Sequence, residues 1–182
     1  MSLYIITGGP GSGKTSLIQS LESKGYRIFP EASRMVISEQ QEQPAGTLPW
    51  TDLHGFQHLV FERQKRDYHA AKELQDIVFL DRGLPDGLGY MKSGGLLIPQ
   101  ELKEDIVQFP YADTVFLTPP WKEIYKNDSA RWEDFEKAQD IFFSLKEVYE
   151  ELGYTTATLP FDSIEKRIDF ILNCISTGKK GS

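Results

Sequence analysis

One cysteine in 182 residues, Cys174, leaves no partner for an intrachain disulfide. Disulfide-stapled secreted scaffolds are thereby excluded, and a cytoplasmic setting is expected. Cys174 itself reads as a small core residue on a helix, not as a nucleophile. Cations are outnumbered: 20 Lys and Arg face 27 Asp and Glu, a formal charge of −7. Non-specific DNA or RNA binding draws on counterion release and needs the opposite balance, so it is excluded; a local basic groove is not. No apolar run approaches the roughly 20 residues that span a bilayer. The first apolar stretch, Leu3–Ile6, is short and runs straight into a glycine-rich loop, unlike a secretory leader. The histidines, His54, His58 and His69, have no Cys or further His at metal-site spacing. Internal repeats and low-complexity tracts are absent.

What is present is an ordinary globular balance, with 40% hydrophobic and 26% charged residues. It suits one domain over residues 1–178, with 179–182 as a disordered tail. Strand and helix signals alternate. Leu3–Ile6 is β-rich and apolar at consecutive positions, as in a strand covered on both faces. A helix from about Lys14 to Glu22 follows, ended by Gly25. Arg27–Phe29 reads as a second strand and Glu31–Gln40 as a helix. Glu42–Trp50, with two prolines and a glycine, reads as a loop. Thr51 or Asp52 caps a long helix to about Leu74, with Leu53, Phe56, Val60, Ala71 and Leu74 in its apolar stripe. Ile77–Leu80 is the clearest buried strand. Gly94-Gly95 marks a break, Gln100–Val107 a short helix and Thr114–Leu117 a fourth strand. Glu133–Leu152 repeats apolar residues at three- and four-residue steps and stops at Gly153. Tyr154–Thr158 is a fifth strand. Asp162 to Glu165 matches a capping box, with Asp162 as cap of the last helix. The alternation predicts a doubly wound, mostly parallel α/β sheet, which binds ligands beyond the carboxyl ends of its strands.

That rule sorts the polar residues. Residues 8–15, GGPGSGKT, fill the pattern G-x-x-x-x-G-K-[ST] between a strand and a helix. In such a loop the backbone around Gly9, Gly11, Ser12 and Gly13 turns its N–H groups toward phosphate oxygens. The start of the next helix, at Lys14, Thr15 and Ser16, adds free N–H groups and a favourable dipole. Lys14 reaches the β- and γ-phosphates, and the Thr15 hydroxyl ligates Mg²⁺. Asp81 ends the buried strand, where an acid holds Mg²⁺ or takes a proton from an attacking hydroxyl. Its neighbour Arg82 is placed to grip an anionic substrate or the transferring phosphoryl group. The plainer reading is a helix cap at Asp81 and an exposed Arg82. Glu31 and Arg34 follow the second strand on the same side of the sheet. Glu31 either binds a hydroxylated acceptor or complements the helix after it. Arg63 and Asp67 fall at or inside the apolar stripe of the long helix and read either as a core-edge salt bridge, the plainer reading, or as part of a site. Lys126 and Arg131 lie in a polar break after the fourth strand. There they form either a lid near residues 119–133 that brings cations over a phosphate, with Arg131 the better match to its oxygens, or an ordinary turn.

Taken together, ITGGPGSGKTSLI, PEASR, FLDRGLPDGLGY, VFLTPPWKEIYKNDSAR and LPFDSIEKRIDFIL resemble the AAA-type ATPase-like family of small P-loop proteins. That family is similar to the nicotinamide-riboside kinase domain and, more distantly, to deoxynucleoside and adenylate kinases. The glycine loop alone is generic, whereas the succession PEASR, DRGLPD and PPW…ND..R is specific, and the likeness covers nearly the whole chain. It implies an adenylate-kinase-like five-stranded parallel sheet of order 2-3-1-4-5 with a small helical lid. It implies ATP and Mg²⁺ at Lys14 and Thr15, an acid–arginine pair at Asp81 and Arg82, and a lid arginine at Arg131. Glu31 and Arg34 match the acceptor side, and the loop Pro160–Ser163 lies near the base. Sensor and hexamer signatures of the large AAA machines are absent, as are the transferase and DNA-binding domains that accompany some riboside kinases.

The expected function is therefore an ATP- and Mg²⁺-dependent phosphotransferase for a small hydroxylated acceptor such as a nucleoside, riboside or nucleotide. Two rivals use the same residues. One is a nucleotide-dependent switch with weak hydrolysis and a protein or lipid partner; the other is a plain NTP hydrolase. The lack of an N-K-x-D guanine motif leans toward ATP over GTP.

Overall fold

A computed structural model describes residues 2–124 and 135–178. Five strands form its sheet: β1 (Ser2–Thr7), β2 (Arg27–Phe29), β3 (Ile77–Asp81), β4 (Thr114–Leu117) and β5 (Thr155–Thr158). All pairings are parallel, in the order β2-β3-β1-β4-β5. This is the expected order, and it brings the carboxyl ends of β1 and β3 together at the centre. Tyr4 pairs with Phe79 and Ile6 with Asp81.

Among the described residues seven helices accompany the sheet: α1 (Lys14–Ser23), α2 (Ala32–Gln41), α3 (Leu53–Glu73), α4 (Leu84–Ser93), α5 (Gln100–Ile106), α6 (Phe135–Glu151) and α7 (Ile164–Gly178). Alternate strand residues serve the two faces, as a pleated strand requires. Tyr4, Ile6, Phe79 and Phe116 pack against Leu17 and Leu21 of α1 and Ile168 and Ile171 of α7. Leu3, Ile5, Val78, Leu80 and Val115 pack against Tyr68 and Ala71 of α3 and Tyr149 of α6. Burial on both faces explains why β1 and β3 read as unbroken apolar runs. The α6 stripe is buried as its spacing predicts, at Ala138, Ile141, Phe142, Leu145, Val148 and Tyr149.

One helix had not been expected, and three local expectations change. Helix α4 gave little sequence signal because Gly87 and Gly89 lower its helical propensity. The reason for Gly89 is packing: a Cβ there would stand 2.6 Å from a methyl of Leu145 on α6. Leu53 is 55% exposed and leaves the α3 stripe, since it is the first helical residue after the Asp52 cap. The cap of α7 moves one residue, to Ser163, whose hydroxyl accepts from the Lys166 N–H at 3.4 Å. Asp162 binds the Ser163 N–H at 2.7 Å and the Lys166 ammonium at 2.9 Å. Finally, α2 starts at Ala32, and the Glu31 side chain makes no cap bond to it. Residues 125–133 of the expected lid, with Lys126 and Arg131, and the tail 179–182 lie outside the described residues.

Candidate active site

The glycine loop joins β1 to α1 as its motif requires. Its anchor is Ser12, whose hydroxyl bonds the Gly9 carbonyl at 2.9 Å and lies 2.8 Å from the Thr118 hydroxyl. Thr118 in turn bonds the Thr7 carbonyl through both its N–H and its hydroxyl, at 2.7 and 3.0 Å. The Ser12 side chain therefore holds the loop to the end of β4. At Gly8, φ is +152° and a Cβ would overlap the Thr118 carbonyl, so only glycine fits. Thr15 and Ser16 are exposed at the start of α1, whose first N–H groups have no helical partner.

Lys14 is 6% exposed and points at the end of β3, where its ammonium bonds Asp81 and lies 3.7 Å from Glu31. Glu31 is brought in by the Phe29-Pro30 turn after β2. Its carboxylate pairs with Arg82 at 3.2 Å and accepts hydrogen bonds from Arg34 at 3.1 Å and the Ser33 hydroxyl at 2.8 Å. Arg82 continues the chain of charges to Asp86 at 3.3 Å and lies over the Tyr90 ring, 5.2 Å from its centroid. Asp86 also accepts from the Thr7 and Tyr149 hydroxyls and, at 2.9 Å, from the Gly83 N–H. Arg34 itself is 63% exposed and touches only the rim of the cluster.

Each group responds to this enclosure. Burial draws the Lys14 ammonium down, and Arg82 adds to that; Asp81 and Glu31 oppose it. Burial raises the Asp81 carboxyl above its ordinary value against the pull of Lys14. Burial would also raise Glu31, but Arg82 and Lys14, with Ser33 and Arg34, overcome it and hold that carboxyl at about 2. Arg82 is held well above its ordinary value: Tyr90, Glu31, Asp86 and Asp81 outweigh the burial that lowers it.

Arg82 is the one non-glycine residue with positive φ among those described, at +73°. The left-handed backbone costs roughly 1–2 kcal/mol at such a residue. It is held there by the Ile6 carbonyl, which its N–H meets at 3.1 Å, and by the carboxylates of Glu31 and Asp86. A narrow cleft opens beside Arg82, lined by Phe29, Pro30, Gln64, Asp67, Asp81 and Tyr111. Gln64 reaches it from α3 and bonds the Gly83 carbonyl at 3.1 Å. Arg63 and Asp67 form the expected salt bridge at 3.0 Å, and Arg63 also bonds Glu39 at 2.7 Å.

Lys14, Glu31, Asp81 and Arg82 thus meet in one cluster, while neither the cap at Asp81 nor an exposed Arg82 is found. Sequence reasoning missed Asp86 and Thr7, which hold Arg82 and the strand end together. The signal for Asp86 lay in DRGLPD, where an acid follows Arg82 by one helical turn. For Mg²⁺, the donor set fits: a free hydroxyl at Thr15 and a carboxylate at Asp81 are hard oxygen ligands, and this ion takes one or two protein oxygens alongside phosphate and water. No cluster of three ligating side chains exists among the described residues, so the protein alone builds no closed cage.

The comparisons bear on family and fold. A family model described as an AAA domain matches residues 3–167. No curated protein matches the sequence. Solved structures match along nearly all of it. Deoxyadenosine kinase from M. mycoides with bound dATP is 18% identical, covering 97% of this chain and 100% of that one at a TM-score of 0.61. Thymidylate kinase from Candida albicans is 16% identical, covering 98% and 92%, also at 0.61. Shikimate kinase from Acinetobacter baumannii in complex with shikimate is 13% identical, covering 98% and 95% at 0.58. At these identities the likeness is one of fold. No helix among the described residues is long and apolar enough to cross a membrane. With the parallel sheet, the phosphate loop and a family model spanning residues 3–167, the chain belongs to the AAA domain family and carries the P-loop kinase-like fold.

Proposed function

We propose that the protein transfers the γ-phosphoryl group of ATP to a hydroxyl of a small acceptor, with Mg²⁺. The observation that carries this reading is the placing of Lys14, Asp81, Glu31 and Arg82 in one ion-pair cluster behind the glycine loop. The N–H groups around Gly9, Gly11, Ser12 and Gly13, and those of Lys14, Thr15 and Ser16, hold the phosphates. Lys14 leaves its two carboxylates for the β- and γ-oxygens as these arrive, a move its flexible stem allows. Thr15 and Asp81 would hold Mg²⁺, which neutralises charge on the phosphates when bound. Asp81, at the same strand end, also accepts the proton of the acceptor hydroxyl. Glu31 stays ionised and accepts hydrogen bonds from the acceptor's hydroxyls, and Arg34 at the rim meets its anionic part. Arg82 is the preset cation for charge on the transferring group, already turned and paired before substrate enters. Arg131 serves from the segment after β4 as the lid cation. The lone Cys174 accords with a reducing, cytoplasmic setting.

The named fold neighbours are a deoxyadenosine kinase, a thymidylate kinase and a shikimate kinase, which supports phosphoryl transfer to a small molecule. The test is product analysis with γ-labelled ATP against a panel of nucleosides, ribosides, nucleotides and hydroxy acids. Label on an acceptor is expected. Label only in free phosphate, with every acceptor, makes the protein a hydrolase or switch.

A further inference from the structure

Arg167, in the first turn of α7, takes no part in the cluster above, yet it is only 2% exposed. A guanidinium keeps its proton in proteins, so this is a buried full charge. Buried charges are ordinarily paired, and removing a cation from water without an anion is costly. Among the described residues no carboxylate pairs with Arg167; burial alone acts on it, drawing its pKa down. Its hydrogen bond goes from Nη1 to the Ser12 carbonyl of the glycine loop at 3.1 Å, and its Nε has no partner. The same Nη1 would stand 2.9 Å from a Cβ at Gly13, where φ is +75°, so the guanidinium is packed against the junction of loop and helix α1.

Two consequences follow from peptide geometry and charge. The Ser12–Gly13 peptide is planar and trans, so its C=O and N–H point in opposite directions. Fixing the Ser12 oxygen on the α7 side turns the Gly13 N–H to the other side, and no carbonyl among the described residues receives it. The charge of Arg167, which no carboxylate among the described residues balances, then sits behind a loop whose other features all select anions.

We propose that Arg167 is a positioning residue of the glycine loop and the built-in counter-charge for its ligand: it orients the Ser12–Gly13 peptide, and phosphate entering the loop balances its buried charge. This rests on residues 8–15 being a phosphate loop. The substitution that tests it is Arg167→Met, which keeps an apolar stem and removes the charge, with Arg167→Lys as the charge-keeping control. Calorimetry on the full chain measures ATP, ADP and inorganic tripolyphosphate.

In Arg167→Met, ATP and tripolyphosphate should weaken alike, by about ten- to a hundredfold, and ADP by less. The ligand-free variant should melt higher than the native chain, because a buried charge that no carboxylate among the described residues balances has gone. Arg167→Lys should keep most of the preference for ATP over ADP, and it carries the test if the Met variant does not fold. A Met variant that binds ATP within twofold of native overturns the role of Arg167 alone. So does one that loses ATP but not tripolyphosphate, which would make Arg167 a contact for the base. A Lys variant without the ATP preference also overturns the counter-charge. A native chain that binds neither ATP nor tripolyphosphate overturns the loop reading and this proposal together.

Discussion

Glu31 offers the sharpest quantitative test of the ion-pair cluster. Its carboxyl falls from an ordinary 4.5 to about 2 in the folded chain, because Arg82 and Lys14 outweigh the burial that would raise it. At ~1.36 kcal/mol per unit, that fall stabilises the folded protein by roughly 3 kcal/mol at neutral pH. The side chain is 13% exposed, so solvent screening takes little of this. A lowered pKa means that the folded state holds its proton less tightly than the unfolded chain. The stabilisation is therefore complete above about 4.5 and is lost as the pH falls toward 2. Glu31→Gln keeps the shape and removes the charge. Urea unfolding of native and variant protein at pH 7, 5, 4 and 3 reads the difference, and equal m-values check that both unfold alike. Glu31→Gln should be less stable by about 3 kcal/mol at pH 7, with the gap closing below pH 4.5. A gap that is absent, or that does not change with pH, would refute the reasoning that Arg82 and Lys14 hold this carboxylate.

Further outcomes follow from the same geometry. Lys14→Ala should fold and bind ATP more weakly by about 1.5–3 kcal/mol, the worth of a charge-assisted contact, as calorimetry would read. Asp81→Asn should keep ATP affinity without Mg²⁺ yet lose most turnover with it; turnover within a few-fold of native would move the proton acceptor elsewhere. Asp86→Ala strands Arg82, the Tyr149 hydroxyl and the Gly83 N–H, and should cost about 3–5 kcal/mol in a urea titration. Tyr149→Phe removes one of these bonds and should cost only about 1 kcal/mol.

Legibility in the sequence followed how far apart the cooperating residues lie. The glycine loop was readable because eight contiguous residues carry the whole pattern, with a strand before and a helix after. Asp81 was readable because an apolar run ends at it and parallel sheets bind ligands at that end. The pairing of Glu31 with Arg82 spans separate strands and appears only when β2 lies beside β3. Asp86 was hidden because α4 carries two glycines, one of them needed for contact with Leu145, so its helical period did not stand out. Arg167 sits among Ile164, Ile168 and Ile171 on the buried side of α7, where an arginine reads as a stripe edge until the loop it touches is in view.

The central claim is that the cluster sends the γ-phosphoryl group to an acceptor hydroxyl instead of to water. Single-turnover measurement with γ-labelled ATP, Mg²⁺ and the acceptor panel tests it most directly, run on the native chain beside Lys14→Ala and Asp81→Asn. The native chain should place label on one class of acceptor, and both variants should lose that product. Label released only as free phosphate by the native chain, with no acceptor altering its rate, would contradict the account.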